Sequence, residues 1–212
     1  DQYFDDSNGS EYWRYGAGFD WRATRDLSFG GEITWREIDQ PLENLETGEW
    51  ITSNRREQNH RVFAYWTPFK ELALGAQFVY DSFKATDRDV FTDFGVIPER
   101  VKTYSVPLTA KYFSPHGFFV GVGGTFVHQD VRRADTAQFP YDAEGHDSFF
   151  LVDTSIGYTF PKRLGFISFE VRNLFDTSFH YQDDSYREFT NAPTVSRFFP
   201  DRTFIGRVVL NY

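Results

Sequence analysis

The segment "EYWRYGAGFDWR" places Trp13, Tyr15, Ala17, Phe19 and Trp21 on one side of an extended chain. Tyr12, Arg14, Gly16, Gly18 and Asp20 fall on the other. Successive side chains alternate in this way only in a strand, since a helix would scatter the same residues around its axis. After "ATRD" the pattern resumes, with Leu27, Phe29, Gly31, Ile33 and Trp35 against Ser28, Gly30, Glu32, Thr34 and Arg36. Two alternating runs joined by a few polar residues read as a β-hairpin.

The hairpin unit recurs. Runs near 58–67 and 71–83 flank "TPFKE", runs near 101–112 and 118–130 flank "FSPHG", and runs near 148–160 and 165–174 flank "PKRLG". A last run covers 202–212. The short turns centre near residues 24, 69, 115 and 162, while the intervening connections are long and polar. The expectation is an all-β chain of nine antiparallel up-and-down strands, roughly 9 to 14 residues each, forming one segment over 1–212.

Composition decides which medium such strands suit. The mean hydropathy of -0.52 suits a soluble chain, yet 20% of the residues are aromatic. Aromatic side chains of this kind gather where one end is apolar and the other wet. One face of the strands carries Trp, Tyr, Phe, Leu and Val, and the other carries Arg14, Glu32, Arg36, Gln77 and Glu170. A water-soluble sandwich or lipocalin-like barrel would have to bury those charges as its core, which is costly unless each is paired. A tilted strand of about 9–11 residues crosses a bilayer, and a closed barrel satisfies every backbone group there. Short turns on one side and long loops on the other complete the pattern of a transmembrane β-barrel. The longest stretch without Asp, Glu, Lys or Arg, Tyr112 to Gln129, contains Pro115 and four glycines and alternates, so it is not a spanning helix.

Other classes are disfavoured. A net charge of -9 leaves no basic surplus for nucleic acid. There is no Cys, hence no disulfide or thiolate site. The five histidines, His60, His116, His128, His146 and His180, are dispersed along the chain, and neither G-x-S-x-G nor H-E-x-x-H occurs. His128 with Asp130, or His146 with Asp147, reads as solvated loop rather than a catalytic pair. "HYQDD" and "DSYRE" lack the ligand spacing of a calcium loop. No enzyme activity, metal or cofactor is expected.

The chain has no Met and begins at Asp1. Counting back from a strand end at Tyr212 on the short-turn side puts Asp1 on the long-loop side, whereas bacterial barrels normally have an even strand number. Together these give the expectation of a larger barrel whose upstream part lies outside this sequence.

The C-terminal region carries a more specific signal. "EVRNLFDTSF" and, after a long loop, "FFPDRTFIGRVVLNY" resemble the end of TonB-dependent outer-membrane receptors. In that family the penultimate strand finishes in an Asn-Leu-Phe-Asp element, matched by Asn173, Leu174, Phe175 and Asp176. The last strand opens with a Pro-x-Arg-like element, matched by Pro200 and Arg202, and ends in an aromatic, matched by Tyr212. The resemblance is specific over about the last 50 residues and rests upstream on alternation and loop lengths. Gly206 departs by one position from the commonest terminal signal.

The resemblance implies a barrel of about 22 strands with an N-terminal plug, located in the bacterial outer membrane. TonB would energise it through a region outside this sequence, for uptake of a small molecule such as a metal chelate, vitamin or glycan. It also implies outer-membrane lipid and lipopolysaccharide as surroundings, and insertion machinery that reads the C-terminal strand. The motif residues are expected to be architectural, since Asn and Asp bond local backbone where a strand leaves a sheet. Arg55, Arg56, Arg88, Arg100, Arg132 and Arg133 stand at or near loop ends. They suit an anionic ligand, and equally lipopolysaccharide phosphates or loop carboxylates. Among the loop aromatics Trp50, Phe91, Phe94, Phe139, Tyr141, Tyr181 and Tyr186, the tyrosines Tyr181 and Tyr186 join the ligand candidates. Rival readings are an export barrel for a polysaccharide or protein, fused to periplasmic helical repeats, and a small stand-alone porin or adhesin.

Overall fold

The computed structural model describes residues 9–43, 48–85, 98–133, 144–181 and 201–211. They form nine strands: β1 (Glu11–Arg22), β2 (Leu27–Glu43), β3 (Trp50–Phe69), β4 (Leu72–Ala85), β5 (Pro98–Phe113), β6 (Phe118–Arg133), β7 (Glu144–Thr159), β8 (Gly165–Arg172) and β9 (Thr203–Leu210). All nine lie in one sheet in chain order, each antiparallel to the next. Among the described residues β1 and β9 are the two edges. The fold is all-β and up-and-down, as the alternation requires. The one helical piece described is a 3₁₀ turn at Pro161–Arg163.

Local chemistry sets the short turns. Thr24 Oγ1 accepts from the backbone N–H groups of Asp26 and Leu27, closing the β1–β2 turn. In the β5–β6 turn Gly117 adopts φ 94°, a left-handed conformation that glycine tolerates without steric cost. Its N–H donates to Ser114 O at 3.0 Å.

The strands are longer than the alternation suggests. β3 runs for 20 residues and β2 for 17, and both extend at the long-loop end into "DQPLENLETGEWITSNRRE", which reads as loop. Backbone pairing continues from Ile38↔Arg55 to Glu43↔Trp50. A ladder needs backbone donors and acceptors, not an apolar face. Where both faces turn polar, the strand persists and its sequence signature fades.

The register sorts the side chains cleanly. On one face, Val62↔Phe78, Leu108↔Gly124, Phe126↔Phe150 and Ile156↔Phe169 stand opposite each other on neighbouring strands. Phe78, Leu108, Val122, Phe126, Phe150 and Ile156 are 43% to 54% exposed, so this apolar face is uncovered rather than a core. On the opposite, polar face, ionic and hydrogen-bonded pairs link neighbouring strands. Arg36 meets Glu57 at 3.5 Å and Arg61 meets Glu32 at 3.1 Å. Asn59 Nδ2 donates to Asp81, and Gln129 Nε2 donates to Thr103 Oγ1 at 2.9 Å.

The long-loop end of the polar face differs from the uniformly polar surface that the alternation suggests. Phe83, Ala85 and Val101 form one buried cluster, joined by Val131. Val127, Phe149 and Leu151 form a second, joined by Phe179 and Tyr181.

Gly165, which opens β8, has φ 134°, and a Cβ there would meet the Val209 carbonyl oxygen of β9. Gly165→Ala should therefore cost on the order of 1–3 kcal/mol and loosen the β8–β9 pair. Faster amide exchange at Phe166 and Asn211, with residues of β3 and β4 unchanged, is the expected reading.

Candidate functional site

The Asn-Leu-Phe-Asp element is a turn that ties three strands together. β8 ends at Arg172. Asn173 then takes φ 49° and Asp176 φ 56°, a region that Asn and Asp enter more readily than other side chains. The buried Asn173 amide closes a ring with Thr177, with Oδ1 accepting from Thr177 N–H and Nδ2 donating to Thr177 O, both at 2.9 Å. The Asn173 N–H donates to Asp153 Oδ1 at 2.9 Å, and the Leu174 N–H to Val152 O at 2.7 Å, which anchors the turn to β7. Asp176 reaches the start of β9, where its Oδ1 accepts the Arg202 N–H at 3.0 Å and its Oδ2 lies 3.7 Å from the Arg202 guanidinium. Four of the motif residues thus have distinct places: Asn173 and Asp176 hold the turn, Arg202 receives it, and Leu174 ties it to β7. Phe175 is 69% exposed. Pro200 and Tyr212 lie outside the described residues.

Beyond the turn the chain runs back over the polar face. The Phe179 ring stacks on Phe149 at 4.2 Å between centroids, and Tyr181 meets Phe149 edge-on at 6.3 Å. The His180 N–H donates to Asp147 Oδ2 at 2.6 Å. Tyr181, a ligand candidate by sequence, is therefore half-buried against the sheet.

The arginine candidates divide between the two faces. Arg55 and Arg56 lie within β3, not in a loop. Arg55 is buried on the polar face, in register with Ile38 and Ala85. Arg56 points the other way, with its Nε 3.5 Å from Glu37. Arg132 lies in β6, with its Nε 3.4 Å from Glu99. Arg133 ends β6, and its side chain is outside the described set; Arg88, Tyr186, Phe91, Phe94, Phe139 and Tyr141 are outside it altogether. Among the described candidates, Arg56 and Arg100 line one open depression, whereas Arg55 and Tyr181 lie on the opposite face.

Sequence reasoning missed a continuous row of rings on the apolar face. Tyr15 stacks on Trp35 at 5.6 Å, Trp35 meets His60 at 5.0 Å, and His60 lies 5.6 Å from Tyr80. Tyr80 and Tyr104 are 5.0 Å apart, and Tyr104 and His128 6.1 Å, so the row crosses six strands. A second set of rings stands beside the short turns on the same face: Trp21, Trp66, Tyr112, Phe118 and Tyr158. On β5 and β6 the sets are eight and ten residues apart, Tyr104 to Tyr112 and Phe118 to His128. That is about 26–33 Å along a strand, or roughly 20–25 Å for one tilted as in a membrane barrel. The row is absent from any one segment of sequence, and only the register assembles it.

Comparison with known proteins finds no matching family model, no matching curated protein and no matching solved structure.

Asn173→Ala removes both side-chain bonds to Thr177 and leaves the part-buried N–H and C=O of Thr177 without those partners. The expected loss is about 1–3 kcal/mol, with faster amide exchange at Thr177 and earlier proteolysis within 174–181. Phe175→Ala should leave both unchanged.

Proposed function

We propose that this chain is a wall segment of a transmembrane β-barrel in the bacterial outer membrane, belonging to a TonB-dependent transporter that takes up a scarce small molecule. The observation that carries the membrane reading is the exposed apolar face bounded by aromatic rows, backed by a polar face on which ion pairs such as Arg36–Glu57 and Arg61–Glu32 link neighbouring strands. An uncovered apolar surface of this extent on a water-soluble protein is an association liability, whereas lipid is a suitable neighbour for it. The aromatic spacing fits an apolar band about 25 Å tall with interfacial girdles. Among the described residues no helix is long and apolar enough to cross a membrane, so strands are the elements available for spanning.

The transporter reading rests on the C-terminal resemblance. The bonds of Asn173, Asp176 and Arg202 support an architectural role for that motif. The polar face, lined by Glu32, Arg36, Glu57 and Arg61, suits a water-filled or plug-filled interior. No catalytic function is part of this proposal.

Trp21, Trp35 and Trp66 give a direct test. After reconstitution of the native protein in phospholipid vesicles, bromines placed high on the acyl chains should quench these tryptophans more strongly than bromines at the chain ends. Equal, negligible quenching at both depths would refute a membrane span. For the energised step, photocrosslinking in cells between the native protein and TonB is expected, and loss of ligand uptake on removal of TonB. Uptake indifferent to TonB would leave the barrel and remove the transporter assignment.

A further inference from the structure

Just beyond the aromatic row, on the apolar face and toward the long loops, four cations stand in register on four successive strands. Arg56 of β3 is opposite Lys84 of β4, Lys84 opposite Arg100 of β5, and Arg100 opposite Arg132 of β6. Like charges directly opposite each other destabilise a sheet. The arrangement is the more unusual because the whole chain has 22 cationic and 31 acidic residues. The ends of the row have partners, Glu37 for Arg56 and Glu99 for Arg132. Among the described residues its centre, Lys84 and Arg100, forms no ion pair, and neither does Lys102 one rung below. Asp130, opposite Lys102 in register, is directed to His128 Nε2 at 3.5 Å. The Arg100 Nε is buried without a hydrogen-bond partner.

Arg56, Lys84, Arg100 and Lys102 line one open depression, with Tyr80 and Ser82 beneath them and no carboxylate among the described lining residues. Its depth along the strands is informative. On β4 the outward order is Phe78, Tyr80, Ser82, Lys84, and on β5 it is Val106, Tyr104, Lys102, Arg100. Each outward step is about 6.6 Å along the strand, so the cations stand roughly 5–10 Å above the ring row for strands tilted as in a membrane barrel. That is headgroup depth when the rings mark the interface. Directly below the rings the same face offers the exposed Val62, Phe78 and Leu108.

From this geometry we infer that Arg56, Lys84, Arg100 and Lys102 bind the phosphate groups of a phosphorylated glycolipid of the outer leaflet, with its acyl chains lying on the apolar face below. Guanidinium groups suit phosphate through paired, charge-assisted bonds. The adjoining apolar strip selects a lipid over a free anion. The inference rests on the membrane reading above and adds a ligand site on the lipid-facing side, separate from any transported molecule.

The test uses the native protein in nanodiscs of zwitterionic phospholipid, with bis-phosphorylated lipid A, monophosphorylated lipid A and inorganic phosphate as probes. Retention is read by native mass spectrometry and by competition. Bis-phosphorylated lipid A should bind most tightly, with salt weakening it. The double substitution K84Q/R100Q should lower its affinity about tenfold or more, as two cations beside an anionic surface imply. The charge-matched control R14Q/K111Q changes polar-face residues and should leave affinity unchanged. Equal loss in both variants, or equal occupancy by inorganic phosphate alone, would overturn the site. Bromolipid quenching in the same samples separates the two readings. Normal quenching with no lipid A preference sinks the glycolipid site alone, and absent quenching sinks both.

Discussion

Backbone pairing is the constraint on which the rest of this structure depends. Every strand from β2 to β8 has a hydrogen-bonded neighbour on both sides, so the peptide groups paired between neighbouring strands are satisfied without help from side chains. Two consequences follow from that independence. The ladder continues beyond the apolar band, which is why β3 reaches 20 residues. The side chains are then left to answer a different demand, that of the medium on each face. Between the two edge strands, aliphatic and aromatic residues can stay uncovered on one face because the backbone that carries them is paired within the sheet.

Polar-face pairs add register to this ladder. Arg36–Glu57 and Arg61–Glu32 both link β2 to β3, Asn59–Asp81 links β3 to β4, and Thr103–Gln129 links β5 to β6. A slip of one residue would carry each charge to the apolar face and each aliphatic residue to the polar one. Of the two ion pairs, Arg36–Glu57 is the more enclosed, with side chains 8% and 11% exposed. Its net contribution to stability is small because desolvation offsets attraction, but its loss would leave a buried charge. These pairs therefore act more on which pairing forms than on how stable it is.

Much of this was legible in the sequence because strands with one apolar and one polar face must alternate. The four short turns, the nine strands and their antiparallel order follow from that rule alone. The loop-end extension was not legible, since Asp39, Asn54 and Arg55 look like loop when both faces are polar. The Phe149–Phe179 stack was hidden because its partners are separated by a whole hairpin and a turn. The Asn173 turn was half legible. Its residue types announced a strand end, but the reach of Asp176 to Arg202 depends on β8 and β9 lying side by side.

The dipeptide Arg55-Arg56 shows why charge read along a chain does not locate a site. Two adjacent guanidinium groups look like one anion-binding element. In a strand their side chains leave on opposite faces, and here one is buried beside Ile38 while the other stands outward beside Glu37 and Lys84. The cations that do share a surface, Arg56, Lys84, Arg100 and Arg132, are separated by 28, 16 and 32 residues in sequence. Register, not proximity in the chain, decides which charges act together. A cluster built this way is insensitive to the conformation of the loops, because four paired strands hold its positions. That rigidity suits the proposed contact with an ordered headgroup layer more than a site that must close around a diffusing ligand.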